Sequence, residues 1–413
     1  MDTPAPPAPI RLDATAADLH GEAARLRALG PVVRVELPDR VPAWAVTGYL
    51  ELRELLADPR VSKDARHWRD LAEGAVPEGW PLIDFVANPG MNTSDGDDHR
   101  RLRALVTQAF TPRRIAAMRP EVEAVTAGLL DALAARASGP EGRVDLRQHF
   151  AYPLPMRVIG GLLGVPEERH AEFRALSQSL VDSGTTAEEG LSTRTRLLGL
   201  LTDLVRERRA HPGDDLASAL VTAREDGDRL SEEELLGTLV ELMVAGHGTT
   251  LNLITNAVRA LLARPGQLAA AMSGALPWSA VIEETLRWDS PVAHFPLRYA
   301  TEDIELGGVT IREGDAILAS YAATGRDGGQ FGPGAGEFDA ARGPIRHLAF
   351  GHGAHYCIGA ALARLEAEVA LPALFARFPA LTLGVPEERL VPLRSLVSNS
   401  VAELPVVLTG AQR

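Results

Sequence analysis

The sequence predicts a mostly α fold, a large helical body with a smaller β-rich region at one side, within one domain spanning residues 1–413. Three observations predict it. Helical patterning runs from about Asp98 to Pro265, and strand signals gather near 31–47, 296–320 and 380–410. A composition of 46% hydrophobic and 23% charged residues describes a globular chain with a large core.

Taken in order, residues 1–10 carry neither a basic stretch nor an apolar one, which predicts a short disordered lead and no signal peptide. Pro31–Val35 and Ala43–Val46 read as strands paired around Pro38-Asp39-Arg40, and Tyr49–Ala57 as a helix. Residues 61–93 mix Trp68, Trp80 and other apolar side chains with glycine and proline, an irregular segment of the kind that lines pockets. Ser231-Glu232-Glu233-Glu234 is a capping box, and no proline follows until Pro265. The helix it opens would run about 33 residues and span about 50 Å. Its apolar middle places it across the core with both faces buried. Further on, Asp303–Ile311 predicts a hairpin turning at Gly307-Gly308, and Ile317–Ser320 continues as strand. Val391–Val397 and Leu404–Leu408 are short and β-like.

Charge and cysteine usage exclude several classes. A net charge of −13 argues against nucleic acid as a partner. Apolar runs stay short of the roughly 18 residues a membrane span needs, so no membrane is expected. One cysteine permits no internal disulfide, which fits a reducing, cytoplasmic setting.

That cysteine, Cys357, lies in Phe350-Gly351-His352-Gly353-Ala354-His355-Tyr356-Cys357-Ile358-Gly359. The glycines let the backbone turn tightly and approach a flat object closely. The helix expected from Gly359 aims its first amides at the sulfur, which favours thiolate over thiol. Such a thiolate suits a haem iron, where it favours O–O cleavage. Buried structural cysteine is the commoner fate of a lone thiol.

Four further patterns join this loop. Glu284 and Arg287 share a helix face at i, i+3, with Arg342 beyond them as a third member of a network behind the cysteine loop. An ordinary surface ion pair is the plain alternative. His99 and Arg103 lie four apart on one face, and with Arg298 and His355 they make four donors for a pair of carboxylates such as haem propionates. On the long helix, Ala245 and Gly246 leave room for a flat group, and Thr249 follows Ala245 by one turn. Its hydroxyl either serves bound dioxygen or bonds back to the preceding turn.

Together these motifs resemble the bacterial cytochrome P-450 family, soluble haem-thiolate monooxygenases, from the Ala43-Trp44 strand to Leu383 and with every motif in family order. The resemblance implies the cytochrome P-450 fold and haem b (iron protoporphyrin IX). It makes Cys357 the proximal iron ligand, with Phe350 packed beside it and Gly351 and Gly359 shaping its loop. It implies that His99, Arg103, Arg298 and His355 bind the propionates, that Ala245, Gly246 and Thr249 face the macrocycle, and that Glu284, Arg287 and Arg342 form the structural network. Thr301–Gly308 is similar to members that tailor polyketides or peptides.

One departure stands out. The family places an acid immediately before the active-site threonine, and this chain has Gly248 there. The protons that acid relays would need another donor: ordered water, a substrate hydroxyl or carboxyl, or His247.

The resulting expectation is a monooxygenase that inserts one oxygen atom of O2 into a bulky lipophilic natural product of macrolide or polyketide type, by hydroxylation or epoxidation. Pocket candidates are Trp80, Phe85, Leu180, Val181, Leu242, Val244, Val292, Ala293, His294, Phe295 and Leu396, mostly apolar. No flavin or nicotinamide fingerprint is present, so electrons would come from a ferredoxin and an NAD(P)H-dependent ferredoxin reductase. Arg100, Arg101, Arg113, Arg114, Arg346 and Arg364 are candidates to dock the acidic ferredoxin. The rival readings are a haem-thiolate enzyme that carries out oxidative coupling or peroxide-driven oxidation of a peptide or aromatic substrate, and a non-enzymatic haem sensor.

Overall fold

A computed structural model describes residues 9–87, 90–136, 142–181, 187–223 and 229–409. Its backbone is mostly helical, and the strands gather into three small sheets. Strands β1 (Ile10–Arg11), β2 (Val32–Glu36), β3 (Pro42–Val46) and β4 (Val61–Ser62) precede the helical body, and β5 (Arg143–Asp145) lies inside it. Four more follow it: β6 (Phe295–Ala300), β7 (Ile304–Leu306), β8 (Val309–Ile311) and β9 (Ala316–Ala319). The last two are β10 (Ala380–Leu383) and β11 (Pro405–Thr409). The largest sheet runs β1-β2-β3-β9-β6-β4, so the first hundred residues and the segment around 300 build one surface. Strand β1 pairs parallel with β2 through Ile10 and Val35, so the lead is ordered from there on, while residues 1–8 lie outside the described residues.

The long helix spans Glu232–Leu262. Ser231 caps it through the Glu234 amide, and the Glu234 side chain returns to the Ser231 amide at 2.8 Å. From Thr250 to Ala257 every residue is buried, which fits its passage through the core. Gly307 and Gly308 turn the β7–β8 hairpin with φ of 57° and 82°, the two left-handed positions such a turn requires.

Two segments differ from expectation. Residues 391–397 form no strand, only isolated bridges at Pro392–Val401 and Val292–Ser398. Strand β5 interrupts a stretch whose pattern is helical, because β11 recruits it antiparallel through Val144 and Val406.

Candidate functional site

The cysteine loop is built to hold one shape. Gly353 has φ of 73°, and a Cβ there would lie 2.4 Å from the Leu56 carbonyl, so the loop packs against a neighbouring turn only with glycine. The Cys357 amide donates to the Phe350 carbonyl at 2.8 Å, and the Gly351 amide to Leu348 at 2.7 Å. A helix, Ala360–Arg377, starts directly after the loop, with Gly359 close enough that its Cβ would sit 3.8 Å from the Cys357 sulfur. Cys357 is accessible yet closely surrounded. Burial pushes its thiol pKa up, outweighing the Gly359 amide, Arg103 and Arg364, which pull it down. The helix amides alone therefore do not make the thiolate that the sequence led us to expect, and a bound cation at the sulfur is what would.

Behind the loop, Glu283 accepts from Arg364 at 2.6 and 3.0 Å and pairs with His347 at 3.1 Å. Burial would raise its carboxyl, but these partners hold it at about 2. Arg364 also lies 4.5 Å over the Phe350 ring, which fixes the aromatic beside the loop.

Next along the same helix, Trp278–Trp288, come Glu284 and Arg287, both with no exposed side-chain surface. Arg287 gives two bonds to Glu284 at 2.7 and 2.6 Å and one each to the carbonyls of Gly325, Ala335 and Glu337 at 2.6 to 2.7 Å. All five guanidinium donors are used. Arg342 joins through Glu284 at 3.4 Å and holds the Gly334 and Glu337 carbonyls at 2.8 and 3.0 Å. The ion pair is thus a buried clamp on residues 325–342, the stretch that leads into the cysteine loop.

The four donors expected at the propionates gather in part. His99 and His355 stack with ring centroids 4.0 Å apart. His99 is 3% exposed and its Nε2 has no partner among the described residues. Burial, with the charges of His355 and Arg103, lowers its pKa to about 4. Arg298 is equally buried; one nitrogen reaches the Tyr321 hydroxyl at 3.4 Å and the other, Nη1, is unpartnered. Arg103 spends one donor on the Tyr356 carbonyl at 2.6 Å. Buried donors without acceptors are costly, so they mark where an anionic group belongs. These residues fit haem: a sulfur ligand on one side, unspent donors at the edge.

The long helix carries the remaining group of predicted residues. Ala245 is exposed in the middle of it and Gly248 opens onto space in which an added Cβ meets nothing within 4 Å. Gly246 packs on Ile159, whose Cδ1 would lie 3.1 Å from a Cβ there. The Thr249 hydroxyl donates back to the Ala245 carbonyl at 2.7 Å, the second of the two geometries the sequence left open. His247 turns to the other side, edge-on to Tyr152 at 4.6 Å, so it is not placed to serve Thr249.

The pocket candidates scatter. Trp80 packs against Trp68 with centroids 5.4 Å apart and donates to the Pro38 carbonyl at 3.0 Å. It belongs to the core of the β-rich region, as does Leu396, because aromatic packing there claims them both. Ala293 is buried against Ala16 and Ala322, and His294 is bonded to Ser320 at 3.0 Å. Leu242 is buried in the helical core. Val244, Val292 and Phe295 remain partly open and Phe85 is 40% exposed. Leu180 and Val181 end a helix, and their side chains lie outside the described residues.

Three residues were not legible beforehand. Asp95 starts the helix that carries His99, but its carboxylate accepts from Ser62 at 2.6 Å, the Lys63 amide at 2.5 Å and His355 at 3.1 Å. Burial would raise its pKa, and these bonds instead hold it far below the carboxylate range. Lys63 is 3% exposed and Glu241 is enclosed beside it. Asp95 had a visible signal in its capping position; a buried lysine has none.

Of the docking arginines, Arg100 pairs with Asp97, Arg101 with Glu234, Arg114 with Asp214 and Arg364 with Glu283, leaving Arg113 and Arg346 exposed without an ion pair among the described residues.

A family model for cytochrome P450 matches residues 277–399, the stretch from the Glu284 helix through the cysteine loop. The chain is 46% identical over 403 residues to a 2-hydroxy-5-methyl-1-naphthoate 7-hydroxylase of Streptomyces carzinostaticus, covering 97% of this chain and 98% of that one. It is 42% identical over 394 residues to the cytochrome P450 monooxygenase PikC of Streptomyces venezuelae, covering 95% and 91%. Among solved structures, testosterone-bound CYP154C4 from a Streptomyces species matches with a TM-score of 0.92 at 48% identity, covering 97% of this chain and 98% of that one.

Proposed function

Because the chain belongs to the cytochrome P450 family, we propose that this haem b monooxygenase hydroxylates or epoxidises a bulky lipophilic natural product of polyketide or macrolide type, drawing electrons from a cytoplasmic ferredoxin and its NAD(P)H-dependent reductase. The observation that carries the reading is the pairing of an accessible Cys357 sulfur with the unspent buried donors of His99 and Arg298. When bound, the haem supplies oxygen activation at a thiolate-ligated iron.

The chain's own residues do the rest. Cys357 would hold the iron through its sulfur, and the Glu284–Arg287–Arg342 clamp with the Glu283–Arg364 pair keeps that sulfur where the loop presents it. His99, Arg298, Arg103 and His355 neutralise the propionates, with Asp95 fixing the His355 ring through Nε2. Thr249 holds a proton at its hydroxyl beside the oxygen site, donated to Ala245 until a better acceptor arrives. Gly248 leaves space for water where a side chain would carry a proton, so water next to Thr249 completes the path. Val244, Val292 and Phe295 offer apolar surface to the substrate. Relatives that act on aromatic acids and macrolides support the substrate class: one is a naphthoate hydroxylase, another a mycinamicin IV hydroxylase/epoxidase.

A second reading, peroxide-driven oxidation or aromatic coupling, is favoured by Gly248 alone. Spin-shift titration of the ferric holoenzyme tests the first. A blue shift of the haem band with macrolactones or polycyclic aromatics, followed by NAD(P)H- and ferredoxin-dependent oxygenated product, is the expected result. Turnover with hydrogen peroxide only would select the second reading, and a reduced protein lacking a thiolate–CO band would overturn both.

A further inference from the structure

On the N-terminal half of the long helix, one face carries several residues that are not fully buried. Gly237, Glu241, Val244, Ala245, Gly248 and Thr249 are open to different degrees, while Leu239, Leu242, Met243 and His247 are buried. Those spacings of three and four put the open residues on one face. Glu241 is the charged member of the stripe. It stands seven residues before Gly248, hence nearly in line with it and about 10 Å away along the axis.

Around Glu241 the chain supplies polar partners of both kinds. The Asn92 amide donates to its carboxylate. A Cβ on Gly90 would lie 3.4 Å from Glu241 Oε2, so the same short segment closes over the acid. The Asn92 side chain accepts from Lys63 Nζ at 2.9 Å, and that nitrogen lies 4.3 Å over the Phe295 ring, one of the partly open apolar residues. Burial pushes the Glu241 carboxyl up and the Lys63 ammonium well down, and each group's charge opposes the shift of the other. Asn92 thus links the two, accepting from Lys63 through its side chain and donating to Glu241 through its amide, so one cluster holds a donor and an acceptor whose formal charges cancel.

Resting on the monooxygenase reading, we infer that Lys63, Asn92 and Glu241 form the polar pole of the substrate pocket, recognising a neutral hydroxyl about 10 Å along the helix from Gly248 and Thr249. A hydroxyl both donates and accepts, so it satisfies the pair without adding charge. An ammonium in its place can donate to Glu241 but cannot accept from Lys63, and a carboxylate can accept from Lys63 but cannot donate to Glu241. A site built to bond a hydroxyl rejects the analogue that lacks it, since its polar groups are then left unpaired. The apolar remainder of the pocket gives affinity, and this pole fixes which end of the molecule points at Thr249. Glu241 is thus a specificity-determining residue for substrate orientation.

The test is a spectral titration of the ferric holoenzyme with three probes on one rigid lipophilic scaffold: androstane, its 3-hydroxy derivative and its 3-amino derivative. The wild type is expected to bind the hydroxy compound about three- to tenfold more tightly than androstane, and the amine no more tightly than androstane. Glu241→Leu and Lys63→Met each erase that preference, while Glu241→Gln, which keeps a donor and an acceptor, retains it. The thiolate–CO band of each variant checks that the haem site is intact, and Lys63→Met stands in if Glu241→Leu does not fold. A preference unchanged in both Glu241→Leu and Lys63→Met, or no response of the wild type to the hydroxy compound, overturns the inference and leaves the monooxygenase reading standing. Absence of the thiolate–CO band from the wild type overturns that reading and the inference with it.

Discussion

The two ends of the site treat their polar groups in opposite ways. At the Glu284–Arg287 clamp every donor of a fully buried guanidinium meets an acceptor of the same chain. At the His99–Arg298 edge, the buried His99 Nε2 and Arg298 Nη1 meet no acceptor among the described residues. Both regions sit in a low-dielectric interior where an unpaired polar group is costly. A clamp that is complete within itself serves the fold, while an edge left incomplete is shaped for something outside the chain. The same logic separates the long helix into halves. Asn252 and Asn256 are spent on carbonyls of Pro291, Asp289 and Asn399, whereas the Thr249 hydroxyl only folds back on its own turn.

The largest way to break this comparison is to remove charge from the clamp. Glu284→Gln leaves Arg287 as a buried cation without its counterion, a change worth about 3–5 kcal/mol. We expect a large loss of soluble, haem-loaded protein and a lowered unfolding midpoint by calorimetry. Replacing Arg287 by Met in the same chain restores little, because the carbonyls of Gly325 and Ala335 then lose their donor and that of Glu337 keeps only Arg342. A Glu284→Gln protein of wild-type stability would show that the clamp is not closed in the way its distances indicate.

An intermediate effect belongs to the open edge. Arg298→Ala or His99→Ala should leave the unfolding of the haem-free chain near wild type, since His99 Nε2 and Arg298 Nη1 bond nothing among the described residues and the one Arg298 bond, to Tyr321, is long at 3.4 Å. The same variants should release haem to apomyoglobin about ten- to a hundredfold faster, the range for a lost hydrogen bond to a charged group. If stability of the haem-free chain falls as much as at the clamp, these side chains are structural and the contrast between the two ends disappears.

How far each end was legible in the sequence follows from the same physics. The cysteine loop, the capping box at Ser231 and the Gly307-Gly308 hairpin are local, and local rules found them. The Glu284–Arg287 pairing was visible as spacing, but its three carbonyl partners 38 to 50 residues away were not. Trp80 looked like a pocket residue because an aromatic among breakers is ambiguous until its neighbours are known; Trp68 and the Pro38 carbonyl decide it. Strand β5 is three residues long and exists only through β11, some 260 residues further on. Nothing local in the sequence singles out Lys63 or Glu241, and only tertiary contact encloses them.

The smallest effect tests the open half of the long helix. Gly248→Asp adds a side chain where a Cβ meets nothing within 4 Å, so the variant should fold with stability within about 0.5–1 kcal/mol of wild type, a helix interior favouring most residues over glycine. The new carboxyl stands beside Thr249, whose hydroxyl at present donates to the Ala245 carbonyl at 2.7 Å. With an acceptor one residue away, that hydroxyl can turn outward and pass protons by a route that does not depend on water alone. Product formed per NAD(P)H consumed should rise about two- to fivefold, a gain under 1 kcal/mol in the competition between productive and leaky turnover. The solvent isotope effect on turnover should change with it. If coupling and isotope effect both stay at wild-type values, the space at Gly248 is not part of the proton path, and the open stripe of the helix serves substrate alone.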